Sequence, residues 1–409
     1  MEKLSNTLKT LGPGLLFAGA AIGVSHLVQS TRAGADYGMG LLWALLLVHL
    51  FKYPFFQYGP RYAAATGESL IDGYKRLGKG MLWFYYLLTF ATMFTIQAAV
   101  TIVTAGIATK LFGVSDNTLI WSVLITFVCF LILMIGKYRL LDNLMKIIVI
   151  ILSISTISAM IIAYQNTSYR FDFTPVFPDN KITIAFLIAF MGWMPAPLDI
   201  SAWHSLWTLE KSKTQKINPK KAILDFNIGY IGTITLGACF IALGTFVMYG
   251  SGETFSDGAS KFSEQLITLY TKNLGQGAYL IIAIAAFTTM FSTSLTTLDA
   301  SPRAMARTTE LLFEKAPKNT YLIWLIFLSI GTLLILGFLI TSMTFMVKVA
   351  TIISFLTAPF YAIANYLLIT SKHTPPQWHP KIGLKILSWL GILFLIGFSL
   401  FYIVSLINY

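Results

Sequence analysis

The chain has 409 residues, 56% of them hydrophobic and 11% charged, a balance that excludes a water-soluble globular domain and makes a bilayer the solvent. The formal net charge of +12 does not indicate a nucleic-acid binder, because Lys and Arg fall in short segments between apolar stretches, where they set membrane orientation. Cys129 and Cys239 are the only cysteines and each lies in an apolar stretch, so neither a disulfide framework nor a cysteine metal site is expected and both are read as packing residues.

In chain order the sequence predicts eleven apolar helices, at roughly 12–31, 40–58, 82–109, 118–136, 142–164, 182–207, 222–249, 276–297, 320–340, 343–370 and 383–407. Stretches of this length argue for helices over a porin-like barrel. The first is followed by Arg32 and Asp36 without an A-x-A site, which makes it a retained span and not a signal peptide. With the N-terminus inside, Lys and Arg in the connecting segments divide nineteen to six in favour of the cytoplasm, and the C-terminus is then external. The predicted layout is a cytoplasmic N-terminus over 1–11, a first repeat over 12–164, an external loop over 165–181, a second repeat over 182–370 and a last helix with the C-terminus over 371–409.

Spans one and six are interrupted in the same way. The first contains Ala21-Ile22-Gly23-Val24-Ser25-His26 and the sixth Gly192-Trp193-Met194-Pro195-Ala196-Pro197-Leu198-Asp199. Pro195 and Pro197 each delete a backbone donor and obstruct the helix, and Gly23 weakens it locally. Interruptions at corresponding places in two halves mark inverted-repeat transporters, whose substrate sites lie between the breaks. Five spans per repeat, an odd number, give the halves opposite topology. The expected fold class is therefore an all-α membrane protein with a 5+5 inverted repeat and one added helix.

Further residues resemble the NRAMP divalent-metal transporter family. Gly12-Pro13-Gly14, Ala33-Gly34-Ala35, Gln57, Arg61, Thr66-Gly67 and Met194-Pro195 are similar, in this order, to that family's pattern. The resemblance implies a fold of the leucine-transporter type and alternating-access uptake of a manganese- or iron-like dication with protons, at a site made by the interrupted spans. It implies substrate contacts at Gly23, His26, Gln97, Met191, Met194 and Thr357, with Met191 contributing a backbone carbonyl. The departures concern the ligands themselves. Where the family has Asp-Pro-Gly-Asn, this chain has Gly23-Val24-Ser25-His26, and where it has Met-Pro-His, this chain has Met194-Pro195-Ala196.

Ionisable groups inside spans are costly and usually functional. His26, Asp199 and His204 lie on the interrupted spans, His49 and Lys52 share one face of span two, and Asp225 opens span seven. His26, Met194 and Asp199 are the candidate metal ligands. Asp199, His49 and Lys52 are the candidates for proton or cation coupling, with an Asp199–Lys52 ion pair or Lys52 on backbone carbonyls as the structural alternative. His204 is read as structural. The segment Thr296 to Arg303 reads as a helix end.

No H-E-x-x-H, G-x-S-x-G or P-loop pattern is present, so the sequence predicts a symporter-like secondary transporter and not an enzyme, without a cofactor. Its expected partners are membrane lipid and a divalent cation or small solute, and its expected location is a bacterial-type inner membrane. Two alternatives stand beside metal transport. One is carriage of a small polar organic solute. The other is a non-transporting sensor, which would commonly carry a soluble signalling domain for which neither terminus offers the length.

Overall fold

The computed structural model describes residues 12–135, 138–167, 172–177, 179–214, 217–275, 279–338 and 342–408. The N-terminal segment 1–11, parts of the 165–181 loop and of the basic run 211–221, and the side chains of Asp142 and Lys146 lie outside the described residues.

The chain opens with α1 (Pro13–Ala21), a π-helical turn (Ser25–Ser30), α2 (Thr31–Tyr37) and α3 (Leu42–Thr66), which ends on left-handed Gly67. The short α4 (Leu70–Leu77) begins in a capping box in which Ser69 and Asp72 satisfy each other's backbone N–H groups. Then follow α5 (Lys79–Phe112), α6 (Thr118–Ile135) and α7 (Tyr138–Asn166). The second half runs through α8 (Lys181–Trp193), α9 (Ile200–Ser212), α10 (Pro219–Met248), α11 (Ala259–Leu274) and α12 (Tyr279–Leu312), then α13 (Thr320–Phe338), α14 (Met343–Thr370) and α15 (Ile382–Asn408). Caps set several starts: the Asn180 side chain accepts from the N–H groups of Ile182 and Thr183, Asn218 from Lys221, and Ser342 from Phe345.

Among the described residues, eight helical stretches are long and apolar enough to cross a membrane. They turn Ile120, Phe127, Ile150, Ile326, Phe327 and Leu393 outward, as hydrocarbon and not water requires. Lipid gives helices no hydrophobic reason to associate, so close packing does that work. α10 lies along α1, α2 and α3, while α5 packs on α12 and α8 on α14. Where α10 meets α1 and α2 the backbones touch through glycine. A Cβ on Gly14 would sit 2.1 Å from the Asp225 carbonyl oxygen, one on Gly229 2.2 Å from that of Gly14, and one on Gly244 2.2 Å from that of Thr31.

Several predicted boundaries need correction. The first span does not end near 31 but continues through Tyr37, and α3 passes Pro54 and Pro60 to reach Thr66. The segment Thr296 to Arg303 is not a helix end, because α12 passes through Pro302 to Leu312. Pro302 forfeits only the bond to the Leu298 carbonyl, and the Arg303 guanidinium, donating to Asp299 at 3.1 and 2.7 Å, staples the same turn. α11 escaped prediction because it is amphipathic: Phe262, Leu266, Ile267 and Leu269 are buried while Lys261 and Glu264 face outward.

Candidate functional site

α1 stops at Ala21; the Ile22 N–H still donates to the Ala18 carbonyl at 2.7 Å, but the Gly23 N–H turns to the Ala21 carbonyl at 2.9 Å before the π-helical turn begins. The Ser25 hydroxyl donates to the Ala21 carbonyl at 2.5 Å and lies 3.4 Å from the Pro195 carbonyl oxygen, which ties one interruption to the other. Gly23 is required by the neighbouring helix, since a Cβ there would lie 2.8 Å from Thr293 Cγ2.

The second interruption follows from two prolines. α8 ends at Trp193, Met194 is extended (φ −87°, ψ 124°), and α9 resumes at Ile200. The Met191 carbonyl would ordinarily accept from residue 195, which is proline and has no N–H. The Gly192 carbonyl loses its donor because the chain has left the helix. Lys52 fills this gap. Its ammonium, fully buried, donates to the carbonyls of Met191 at 2.8 Å, Gly192 at 2.8 Å and Ala196 at 3.5 Å, and stands 5.9 Å above the Phe355 ring. Across the gap Asp199 begins α9, a buried carboxylate at a positive helix end. Its Oδ1 has no hydrogen-bond partner, and it lies in electrostatic range of Lys52, Tyr74, Tyr85 and Tyr361.

Between the interruptions is a cavity of about 20 Å³, room for about one water. Its walls are mostly apolar, from Trp193, Trp203, Ile96 and Val100, and its polar lining comes from the Ser25, Thr293 and Thr297 hydroxyls. Gln97 stands behind that lining and accepts from Thr297 at 2.6 Å. Among the described residues no carboxylate, imidazole or thiol lines it.

The other residues singled out from sequence sit as follows. His26 is a bridge to α10: its Nε2–H donates to the Thr233 carbonyl at 3.0 Å, and its Nδ1 lies 2.8 Å from the Ser25 hydroxyl and 3.1 Å from the Ala21 carbonyl. The imidazole thus packs against the backbone of α10 and does not line the cavity, where a metal ligand was expected. The Met194 thioether lies 3.9 Å from the Ser30 hydroxyl. His49 Nδ1–H donates to the Leu45 carbonyl on its own helix, leaving a buried Nε2 without a partner. Thr357 bonds only within α14, to the carbonyls of Ile353 and Ser354. One turn earlier, Ser354 accepts from the Trp193 indole at 2.8 Å and reaches the interruption. His204 stacks on Phe17 at 5.6 Å. Among the described residues no group of three or more His, Cys, Asp and Glu is arranged to hold a metal ion.

Sequence reasoning gave no substrate role to Ser25, Thr293, Thr297 and Ser354, because a hydroxyl in an apolar helix gives no signal of its own. It also missed the charged vestibules at the two ends. At one, a pocket of about 640 Å³ is lined by Asp72, Glu210 and Arg303, and Arg307 joins Asp72 of α4 at 2.5 Å and Glu310 at 3.3 Å. At the other, a pocket of about 560 Å³ contains Lys110, paired with Glu264 at 3.1 Å.

A polytopic helical bundle with a central site between two helix interruptions is the architecture of a secondary-active membrane transporter, a machine for transport and not catalysis. The family model Nramp, described as natural resistance-associated macrophage protein-like, matches residues 14–405, and the chain belongs to that family. It is 38% identical over 400 residues to an uncharacterized protein of Pasteurella multocida (strain Pm70), covering 96% of this chain and 91% of that one. A crystal structure of a mutant Eremococcus coleocola manganese transporter is similar with a TM-score of 0.74 at 15% identity, covering 95% of this chain and 85% of that one. MhsT in complex with L-phenylalanine gives 0.67 at 14% identity, over 96% and 98%. At these identities the likeness is one of fold, and it places this chain among multi-pass membrane proteins of the Nramp and leucine-transporter architecture.

Proposed function

We propose that the chain is an eleven-span alternating-access transporter, with two inverted five-span repeats and a cytoplasmic N-terminus, whose passenger is a small polar organic solute. The observation that carries this reading is the central lining, which offers Ser25, Thr293 and Thr297 hydroxyls and no anionic or imidazole ligand. A hard dication asks for oxygen anions, whereas a neutral or zwitterionic solute is satisfied by hydroxyls. Rocking of α1 to α3 with α8 to α10 against the remaining helices would open the site to either side in turn. In this reading Gly23 and Gln97 shape and back the pocket, Met191 and Met194 flank it, and Asp199 is the group that couples transport to protons.

A second reading, a manganese- or iron-like dication, is supported by family membership and by the Met194 thioether beside the interruption. Flux into liposomes of purified protein separates the two, with manganese, magnesium and amino acids offered with and without a proton gradient. Saturable uptake of an organic solute with no manganese flux is expected. Saturable manganese uptake that vanishes in Met194→Ala would overturn the organic-solute reading. Asp199→Asn is expected to flatten the pH dependence of that uptake, and an unchanged pH profile would remove Asp199 from the coupling role.

A further inference from the structure

We propose that Lys52 is a built-in cation, tethered where a small monovalent cation would otherwise bind, and that shortening its side chain uncovers a cation site on the carbonyls of Met191, Gly192 and Ala196. The inference rests on the geometry of the second interruption and not on the identity of the passenger.

The site is built as cation sites are. A helix C-terminus carries partial negative charge on its unpaired carbonyls. Here the charge is concentrated because Pro195 withholds the donor that Met191 would have had, and the turn at Met194 withholds that of Gly192. Gly192 lets α14 close over the same point, for a Cβ on it would sit 2.2 Å from the Thr351 carbonyl oxygen. Three oxygens from α8 and the interrupted segment converge on one Nζ, and the face of Phe355 covers it. An ammonium has three N–H groups to give, and the site supplies three carbonyl oxygens. An unpaired charge of this kind would not survive complete burial, so the carbonyl cage is what keeps it there.

At the opposite end of the interruption stands the opposite charge: the Asp199 carboxylate lies at the positive end of α9, without a side-chain cap hydrogen bond. The two half-helix ends are thus charged and neutralised by the protein itself. A diffusible ion has no vacancy to fill at α8 while Lys52 is in place, which gives a physical reason for the neutral lining of the adjoining cavity.

Chemical complementation tests this directly. Purified Lys52→Ala should melt roughly 5 °C or more below the unsubstituted protein. Ethylammonium chloride should restore at least half of that loss in a saturable manner, whereas choline chloride at the same ionic strength should not, being too large for the cage. Lys52→Met, which keeps the stem volume without the charge, should also melt low and should not respond to ethylammonium. The proposal is overturned if Lys52→Ala or Lys52→Met melts with the unsubstituted protein, or if ethylammonium and choline act alike. Should Lys52→Ala not survive extraction, extraction in ethylammonium decides the matter: a monodisperse protein sustains the tethered cation, and loss as complete as in choline overturns it. Because melting is the readout, a negative result leaves the transport reading untouched, and a failure to detect flux leaves this one untouched.

Discussion

At the scale of single residues, two buried charges in this chain sit on backbone groups without helical partners. Asp225 shows it as clearly as Lys52. Its carboxylate accepts from the Gly12 N–H at 3.2 Å and the Gly14 N–H at 2.7 Å, so α10 supplies the N-terminal cap of α1. Asp225→Ala is expected to cost about 2 kcal/mol, read as a lower midpoint in thermal unfolding of the detergent-solubilised protein. A midpoint equal to that of the unsubstituted protein would show that the cap contributes nothing. That Lys52, Asp199 and His26 matter was legible in the sequence, because an ionisable group within an apolar helix is costly. Which partners Lys52 and His26 find was not, because those partners are carbonyls some 140 to 207 residues away in sequence. Backbone atoms carry no sequence signature.

At the scale of helices, the interruptions were readable from Gly23, Pro195 and Pro197, since those residues act on their own backbone. Helix continuation through Pro302 and the packing register of α14 were not. Both depend on neighbours: Asp299 with Arg303 on one helix, and the Trp193 indole choosing Ser354 over Thr357 on the other. The contact between α10 and α1–α2 is set by Gly14, Gly34, Gly229 and Gly244, and a Cβ on Gly34 would meet the Ile241 carbonyl oxygen at 2.0 Å. Gly244→Val should separate these helices and lower stability by about 1–3 kcal/mol, again seen in thermal unfolding. An unchanged midpoint would mean that the close approach is not needed. The Arg307–Asp72 pair holds α4 against α12 at one mouth of the molecule. If it is a latch, Asp72→Asn should increase the labelling of a reporter cysteine in the central cavity from that mouth, and labelling at the unsubstituted rate would rule the latch out.

At the scale of the whole molecule, composition indicated the solvent, the length of the apolar stretches indicated helices, and the paired interruptions pointed to a transporter before any family likeness was considered. The passenger was less legible, because it depends on which side chains line a cavity and not on which lie near it in sequence. Met194, Gln97 and His26 are all close to the interruptions, yet none of them lines the cavity, and hydroxyls contributed by α12 do. The physical consequence is a site with neutral walls whose charges are held behind it by Lys52 and Asp199. Such a site functions only if it meets each side of the membrane in turn. Replacing Cys129 and Cys239 and introducing Thr293→Cys places a single thiol at that point, open to a membrane-impermeant thiol reagent applied to either face of oriented vesicles. Labelling from both faces, slowed by the passenger, is the predicted result; labelling from one face alone, or from neither, would contradict the account.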